Sequence, residues 1–208
     1  MISQLTERYP ALAHCSGAIA KAYDILATSF SNGGTLLIAG NGGSAADAEH
    51  ICAELMKGFR KKRPLSSEEK KALLEADRPM GEILSGKLQG ALPAIALSAC
   101  SPLSSAYAND CDPVLAYAQQ VNGYGRSGDV FFAISTSGES RNLLFAAVTA
   151  KARGLKVIAL TGNKDSSLSR LADVCIKVPQ SETYLVQELH LPVYHCLCNM
   201  LEEKFFSE

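Results

Sequence analysis

The stretch Thr35-Leu36-Leu37-Ile38-Ala39-Gly40-Asn41-Gly42-Gly43-Ser44 decides the fold class. Residues 35–39 form a short apolar run without polar alternation, the pattern of a strand buried on both faces. Gly40 to Gly43 reads as a turn, and Ser44 opens a helix over residues 44–57. The same order returns downstream: an apolar run at 130–134, a turn rich in Ser, Thr and Gly, then a helix that reaches Arg153. Apolar runs at 92–97, 156–160 and 174–178 supply the other strands, and a long helix spans about 184–206. Near the N-terminus, Pro10 opens a helix over about 10–30, which ends at Asn32-Gly33-Gly34. Strands alternating with helices predict an α/β fold: a three-layer α-β-α sandwich on a five-stranded parallel sheet. Such sheets bind ligands beyond the carboxyl ends of their strands, where both turns fall.

Bulk properties narrow the function. The chain has 208 residues, 47% hydrophobic and 20% charged, with a formal net charge of -1. That suits one globular domain with a sizeable core and leaves no basic footprint for nucleic acid. Lys61-Lys62-Arg63 is short and reads as a solvated face. The start Met-Ile-Ser-Gln-Leu-Thr-Glu lacks the basic and apolar regions of a signal peptide, and no apolar run is long enough for a bilayer. The seven cysteines contain no C-x-x-C pair, which argues against a zinc-thiolate site and for reduced thiols in the cytoplasm.

One segment departs from the alternation. Residues 65–91 contain Ser66-Ser67-Glu68-Glu69, a capping-box start to a short charged helix that Arg78-Pro79 and Gly81 then break. It reads as an insertion: a surface excursion, a flap over the site, or part of a subunit interface.

Four motifs carry chemistry. Gly40-Asn41-Gly42-Gly43-Ser44 lets backbone approach a ligand at a helix N-terminus, but it is neither GxGxxG nor a P-loop. Ser135-Thr136-Ser137-Gly138-Glu139-Ser140 places four hydroxyls at a helix start, more than a cap requires, and points to a phosphate. His50 and Glu54 are four apart and share a helix face, fit for a metal or for a base with a partner, or for an ordinary surface pair. Gln187, His190 and His195 lie on the last helix. His195 sits in an apolar stretch, where a histidine is more often a packed core residue than a catalyst.

Together and in this order, these motifs resemble the sugar-isomerase (SIS) domain family, and within it the phosphoheptose isomerases. Ala108-Asn109-Asp110 and Val157-Ile158-Ala159-Leu160-Thr161-Gly162 extend the resemblance, which runs from Thr35 to Leu201 apart from the insertion. It implies a flavodoxin-like SIS fold over residues 1–208 and a ketose–aldose isomerisation of a phosphosugar through an enediol(ate). The implied substrate is sedoheptulose 7-phosphate, converted to glycero-manno-heptose 7-phosphate. By the same resemblance Asn41, Gly42, Gly43, Ser44, Asn109, Asp110, Glu54 and Gln187 contact substrate. Ser135, Thr136, Ser137 and Ser140 hold the phosphate. Glu54 and His195 are the acid/base pair, and His50, Glu54, Gln187 and His195 bind one zinc ion per subunit. It also implies a homotetramer and no nucleotide cofactor. Tyr184 departs from the family, whose heptose isomerases carry an acidic residue there. A second reading is a non-catalytic, phosphosugar-binding regulator. One such SIS protein associates with the bacterial replication initiator and shares a Cys-Leu-Cys segment like Cys196-Leu197-Cys198, but lacks the glutamate and histidine found here as Glu54 and His195.

Overall fold

In the computed structural model, which describes residues 1–206, five parallel strands run in the order β2-β1-β3-β4-β5. They are β1 (Leu36–Gly40), β2 (Ala94–Ala96), β3 (Val130–Ser135), β4 (Lys156–Thr161) and β5 (Val174–Lys177). The helices are α1 (Ile2–Arg8), α2 (Ser16–Ser31), α3 (Gly43–Met56), α4 (Ser67–Ala76), α5 (Arg78–Lys87), α6 (Ser101–Asp110), α7 (Ala116–Tyr124), α8 (Arg141–Ala152), α9 (Ser167–Leu171) and α10 (Thr183–Phe205).

Strand alternation explains the three layers. Leu36, Ile38, Val130, Phe132 and Ile134 point to one face, where they join Ile19 and Leu26 of α2, Ile51 and Leu55 of α3, and Val193 and Leu197 of α10. Leu37, Ala39, Phe131 and Ala133 point to the other, against Val121 of α7 and Leu143, Ala146 and Ala150 of α8. Every residue of β1 and β3 is buried, which accounts for the unbroken apolar runs in the sequence. The strand order reverses direction between β1 and β3, which pair from Leu36↔Val130 to Gly40↔Ile134. At such a switch point the loops leaving adjacent strands diverge and open a crevice.

Several sequence expectations change. Pro10 opens a 3-10 segment, Pro10–Cys15, and the α-helix begins only at Ser16. The second strand shrinks to Ala94–Ala96. The insertion's first helix ends at Ala76, just before Arg78-Pro79 as expected, but Pro79 and Gly81 belong to a second helix rather than to a loop. Asp77 accepts from the Met80 N–H at 2.8 Å, and Pro79 sits in the first turn, where its missing N–H costs nothing. A Cβ on Gly81 would strike the Leu73 carbonyl, so glycine lets α5 cross close to α4. The capping box is present as read, with Ser66 and Glu69 bonded reciprocally.

Candidate active site

The first turn is shaped by Gly42, at φ 54, a left-handed conformation that favours glycine. Beside it, a Cβ on Gly43 would lie 2.6 Å from Nε2 of Gln187, so the α10 amide lies directly over this loop. Asn41 and Asn142 exchange two side-chain hydrogen bonds of 3.0 and 2.8 Å and tie the β1–α3 loop to the start of α8 across the switch point. Ser44 is buried, while Asn41, Gly42 and Gly43 are exposed.

The hydroxyl loop divides its labour. Ser135 is buried, and its Oγ accepts from the Gly138 N–H at 3.1 Å and lies 3.3 Å from Ser140 Oγ. Gly138, at φ 67, has no room for a Cβ against Ser166. Thr136 and Ser140 are half-buried and Ser137 is exposed. Glu139 turns away, accepting from the Ser167 N–H at 2.8 Å, and that bond holds its carboxyl below the usual range. Its charge is thus occupied at the start of α9.

The third and fourth motifs meet where α3 packs on α10. His50 Nε2 lies 3.2 Å from Glu54 Oε1, and Lys57 Nζ donates to Glu54 Oε2 at 3.1 Å. The His50 and His195 rings stand edge to face with centroids 5.1 Å apart, and Phe59 flanks His195 at 5.3 Å. Nε2 of His195 is buried without a hydrogen-bond partner. Burial, and secondarily the neighbouring His50, lower the His195 pKa, so the ring is neutral at neutral pH. A cavity of about 250 Å³ opens against His195, lined also by Arg8, Arg60 and Asn199. Spacing alone favours a packed core histidine here and the family resemblance a catalyst; the His195 Nε2 is enclosed yet unsatisfied, at a cavity wall. His190 is the core histidine instead. It is fully buried and its pKa is pushed down to about 4 by burial. The Thr161 backbone is near, but neither ring nitrogen makes a well-formed hydrogen bond.

Asn109 and Asp110 lie exposed at the end of α6, bonded to each other at 2.9 Å. No side-chain hydrogen bond joins them to the other site residues. Tyr184 is 63% exposed at the start of α10. Sequence reasoning missed Asp47, Lys57, Asn142 and Tyr194. Tyr194 carried a signal, since a phenol in an apolar helix stretch needs a polar partner.

Two imidazoles, a carboxylate and an amide suit a zinc ion by donor type, and the orphaned His195 nitrogen is one unmet donor. The placement does not suit it: among the described residues no three His, Cys, Asp or Glu side chains converge to hold a metal. Glu54 is already engaged by His50 and Lys57. As placed the set does not fit the ion.

SIS-domain models match residues 107–198 and 3–82. The phosphoheptose isomerase of Thermodesulfovibrio yellowstonii is 39% identical over 88% of this chain and 79% of its own. That of Rhodospirillum rubrum is 35% identical over 94% and 90%. Among solved structures, a phosphoheptose isomerase from Francisella tularensis superposes with a TM-score of 0.74 at 27% identity, covering 97% of each chain. One from Neisseria gonorrhoeae gives 0.73 at 29% identity, covering 97% of this chain and 91% of that one. The β2-β1-β3-β4-β5 sheet, the glycine-rich and hydroxyl-rich loops at its switch point and these likenesses agree: the chain belongs to the phosphoheptose isomerase family of SIS-domain proteins.

Proposed function

We propose that the protein interconverts sedoheptulose 7-phosphate and glycero-manno-heptose 7-phosphate through an enediol(ate). The observation that carries this is the seam itself. A carboxylate, Glu54, and a neutral imidazole with an unpartnered Nε2, His195, stand around one histidine, His50, on the two helices whose other ends bring Gln187 over the Gly43 turn. Ketose–aldose exchange moves a proton between adjacent carbons, which needs a base at those carbons and a donor at the carbonyl oxygen. Glu54 is the base. His195, neutral at neutral pH, exchanges a proton at the sugar oxygens. Positioned proton transfer of this kind contributes about 10²–10⁴-fold. The free N–H groups around Gly42 and Gly43, with Thr136, Ser137 and Ser140, hold the distant phosphate, and that binding orients the reacting carbons. Glu54 and His195 are the residues that separate this reading from the non-catalytic regulator.

Zinc on His50, Glu54, Gln187 and His195 would require side chains to turn from the placement described, and elemental analysis of the purified protein decides whether an ion binds. A homotetramer in the cytoplasm completes the proposal. No helix among the described residues is long and apolar enough to cross a membrane. The apolar side of α10 is largely consumed within the chain, through Val193, Tyr194, Leu197 and Leu201, so apolar surplus on that helix does not argue for assembly. Light scattering tests the tetramer. The reaction is tested by incubating the protein with sedoheptulose 7-phosphate in deuterated water. An aldose product carrying deuterium at the carbon next to the carbonyl is expected. No turnover on this or any other ketose phosphate refutes the reading.

A further inference from the structure

The basic cluster Lys61-Lys62-Arg63, which the sequence reads as a solvated face, does not act as one in the fold. Arg63 is 1% exposed and committed to Glu202 and to the carbonyls of Glu54 and Leu55. Lys61 Nζ donates to Glu203 Oε2 at 2.6 Å. Lys62 is exposed and has no carboxylate partner among the described residues. It lines a cleft of about 540 Å³ between the 58–64 loop and the end of α5. Arg60 and Lys87 line the same cleft, are exposed, and likewise have no carboxylate partner among the described residues. No acidic side chain among the described residues lines it. Its two walls are tied together: the Gly58 N–H donates to Gln89 Oε1 at 2.7 Å, and the Gly90 N–H donates to the Arg63 carbonyl at 2.7 Å.

A cleft lined by charge of one sign focuses the field and concentrates counter-ions. A single exposed ion pair is worth only about 0–1 kcal/mol, so a ligand held here must meet several cations at once. Arg60, Lys62 and Lys87 therefore call for adjacent anionic groups, and phosphates suit both guanidinium and ammonium donors. The volume falls within the range of about 300–1,000 Å³ that small organic ligands occupy. Phe59, Pro64 and the 47% exposed Leu88 add apolar wall beside the charges.

We propose that this cleft binds a diphosphate group, free or carried by a nucleoside, and that its occupant inhibits the reaction without entering the active site. Neither Glu54 nor His195 lines the cleft. Arg60 joins the two places, since it also lines the cavity against His195 together with Arg8. A diphosphate in the cleft neutralises this shared positive field and draws the Arg60 guanidinium toward itself. An anionic sugar phosphate then binds less well, and KM rises. The inhibition rests on the isomerase reading; the binding does not.

Calorimetric titration of the full chain with inorganic pyrophosphate and with ADP is the test. Both should bind, and affinity should fall on the order of tenfold as salt rises from about 0.01 M to about 0.15 M. Tighter binding of ADP assigns the apolar wall to a nucleoside; equal binding assigns the diphosphate alone. Lys62→Gln with Lys87→Gln should weaken binding on the order of tenfold without lowering the melting temperature, because neither side chain holds another. Ser137→Ala with Ser140→Ala should leave binding in place, which separates the cleft from the hydroxyl loop. Either probe should raise KM for sedoheptulose 7-phosphate several-fold in the unaltered protein and not in the lysine double variant. Binding of neither probe, or binding that survives in that variant, overturns the proposal. Binding without a rise in KM overturns the inhibition. If the protein turns over no ketose phosphate while lysine-dependent binding is measured, the isomerase reading falls and the cleft stands.

Discussion

The α3–α10 seam and the β3–α8 loop, which the proposed function joins in one site, are built by opposite means. In the seam, functional groups hold other functional groups: Asp47, Tyr194, His50, Glu54 and Lys57 follow one another at about hydrogen-bond distance. In the loop, the backbone is held and the hydroxyls are left available. Ser135 closes the turn by accepting from Gly138, while Ser137 stays exposed. Under the proposed function the difference follows from the tasks. Proton transfer needs atoms fixed to a fraction of an ångström, whereas a phosphate is met by several interchangeable donors.

That contrast can be broken, beginning with the largest effect. Glu54→Gln keeps the shape of the seam and removes the base proposed for it. Turnover should fall about 10²–10⁴-fold while KM stays near its original value; undiminished kcat would show that the seam is structural. Next comes the ion pair beneath the seam. Arg63 and Glu202 are 1% and 2% exposed and bonded at 2.9 Å. Arg63→Met should cost about 3–5 kcal/mol in urea unfolding by leaving Glu202 buried without its partner, and a matching Glu202→Met should recover part of the loss.

The buried His190 gives a pH signature that the loop should lack. Its folded pKa of about 4 lies below the ordinary 6.5, so the unfolded chain binds more protons between those values. Stability should therefore be complete above pH 6.5 and fall as pH drops toward 4, by about 3 kcal/mol. Thermal unfolding of the protein and of His190→Leu checks it, the variant showing the flatter profile. In the loop, Ser137→Ala with Ser140→Ala should raise KM for a sugar phosphate on the order of tenfold, with unchanged melting temperature. Ser135→Ala should instead lower the melting temperature, because that hydroxyl serves the turn. The smallest effect lies outside both regions. Ser66→Ala removes the cap of α4 and should cost about 1 kcal/mol, with kinetic constants untouched.

The sequence disclosed whatever is local. Runs such as 130–134 declared buried strands, and the spacing of His50 and Glu54 placed them on one helix face. It hid what depends on distant pairing. Asn41 meets Asn142, and Arg63 meets Glu202 139 residues further on; no periodicity announces either. Pro79 marked the end of α4 correctly but hid the start of α5, because a proline that stops one helix can also open the next, and the Asp77 cap that reveals the second is a matter of geometry. His195 is undecided by spacing because an apolar neighbourhood fits a packed ring and a desolvated catalyst equally well.

The Arg63–Glu202 pair has a consequence for how the chain can vary. Arg63 donates to the carbonyls of Leu55 and Glu54 at the end of α3, and Glu202 accepts from the N–H groups of Phe59, Arg60 and Lys61. The excursion carrying α4 and α5 starts just past this knot and returns to it, through the Pro64↔Gln89 bridge and the Gly90 N–H to Arg63 carbonyl bond. It hangs from the body as a sleeve from a cuff. Segments of other length or composition can be exchanged between Pro64 and Gln89 while Glu54 keeps its place, which makes this the natural graft point of the molecule.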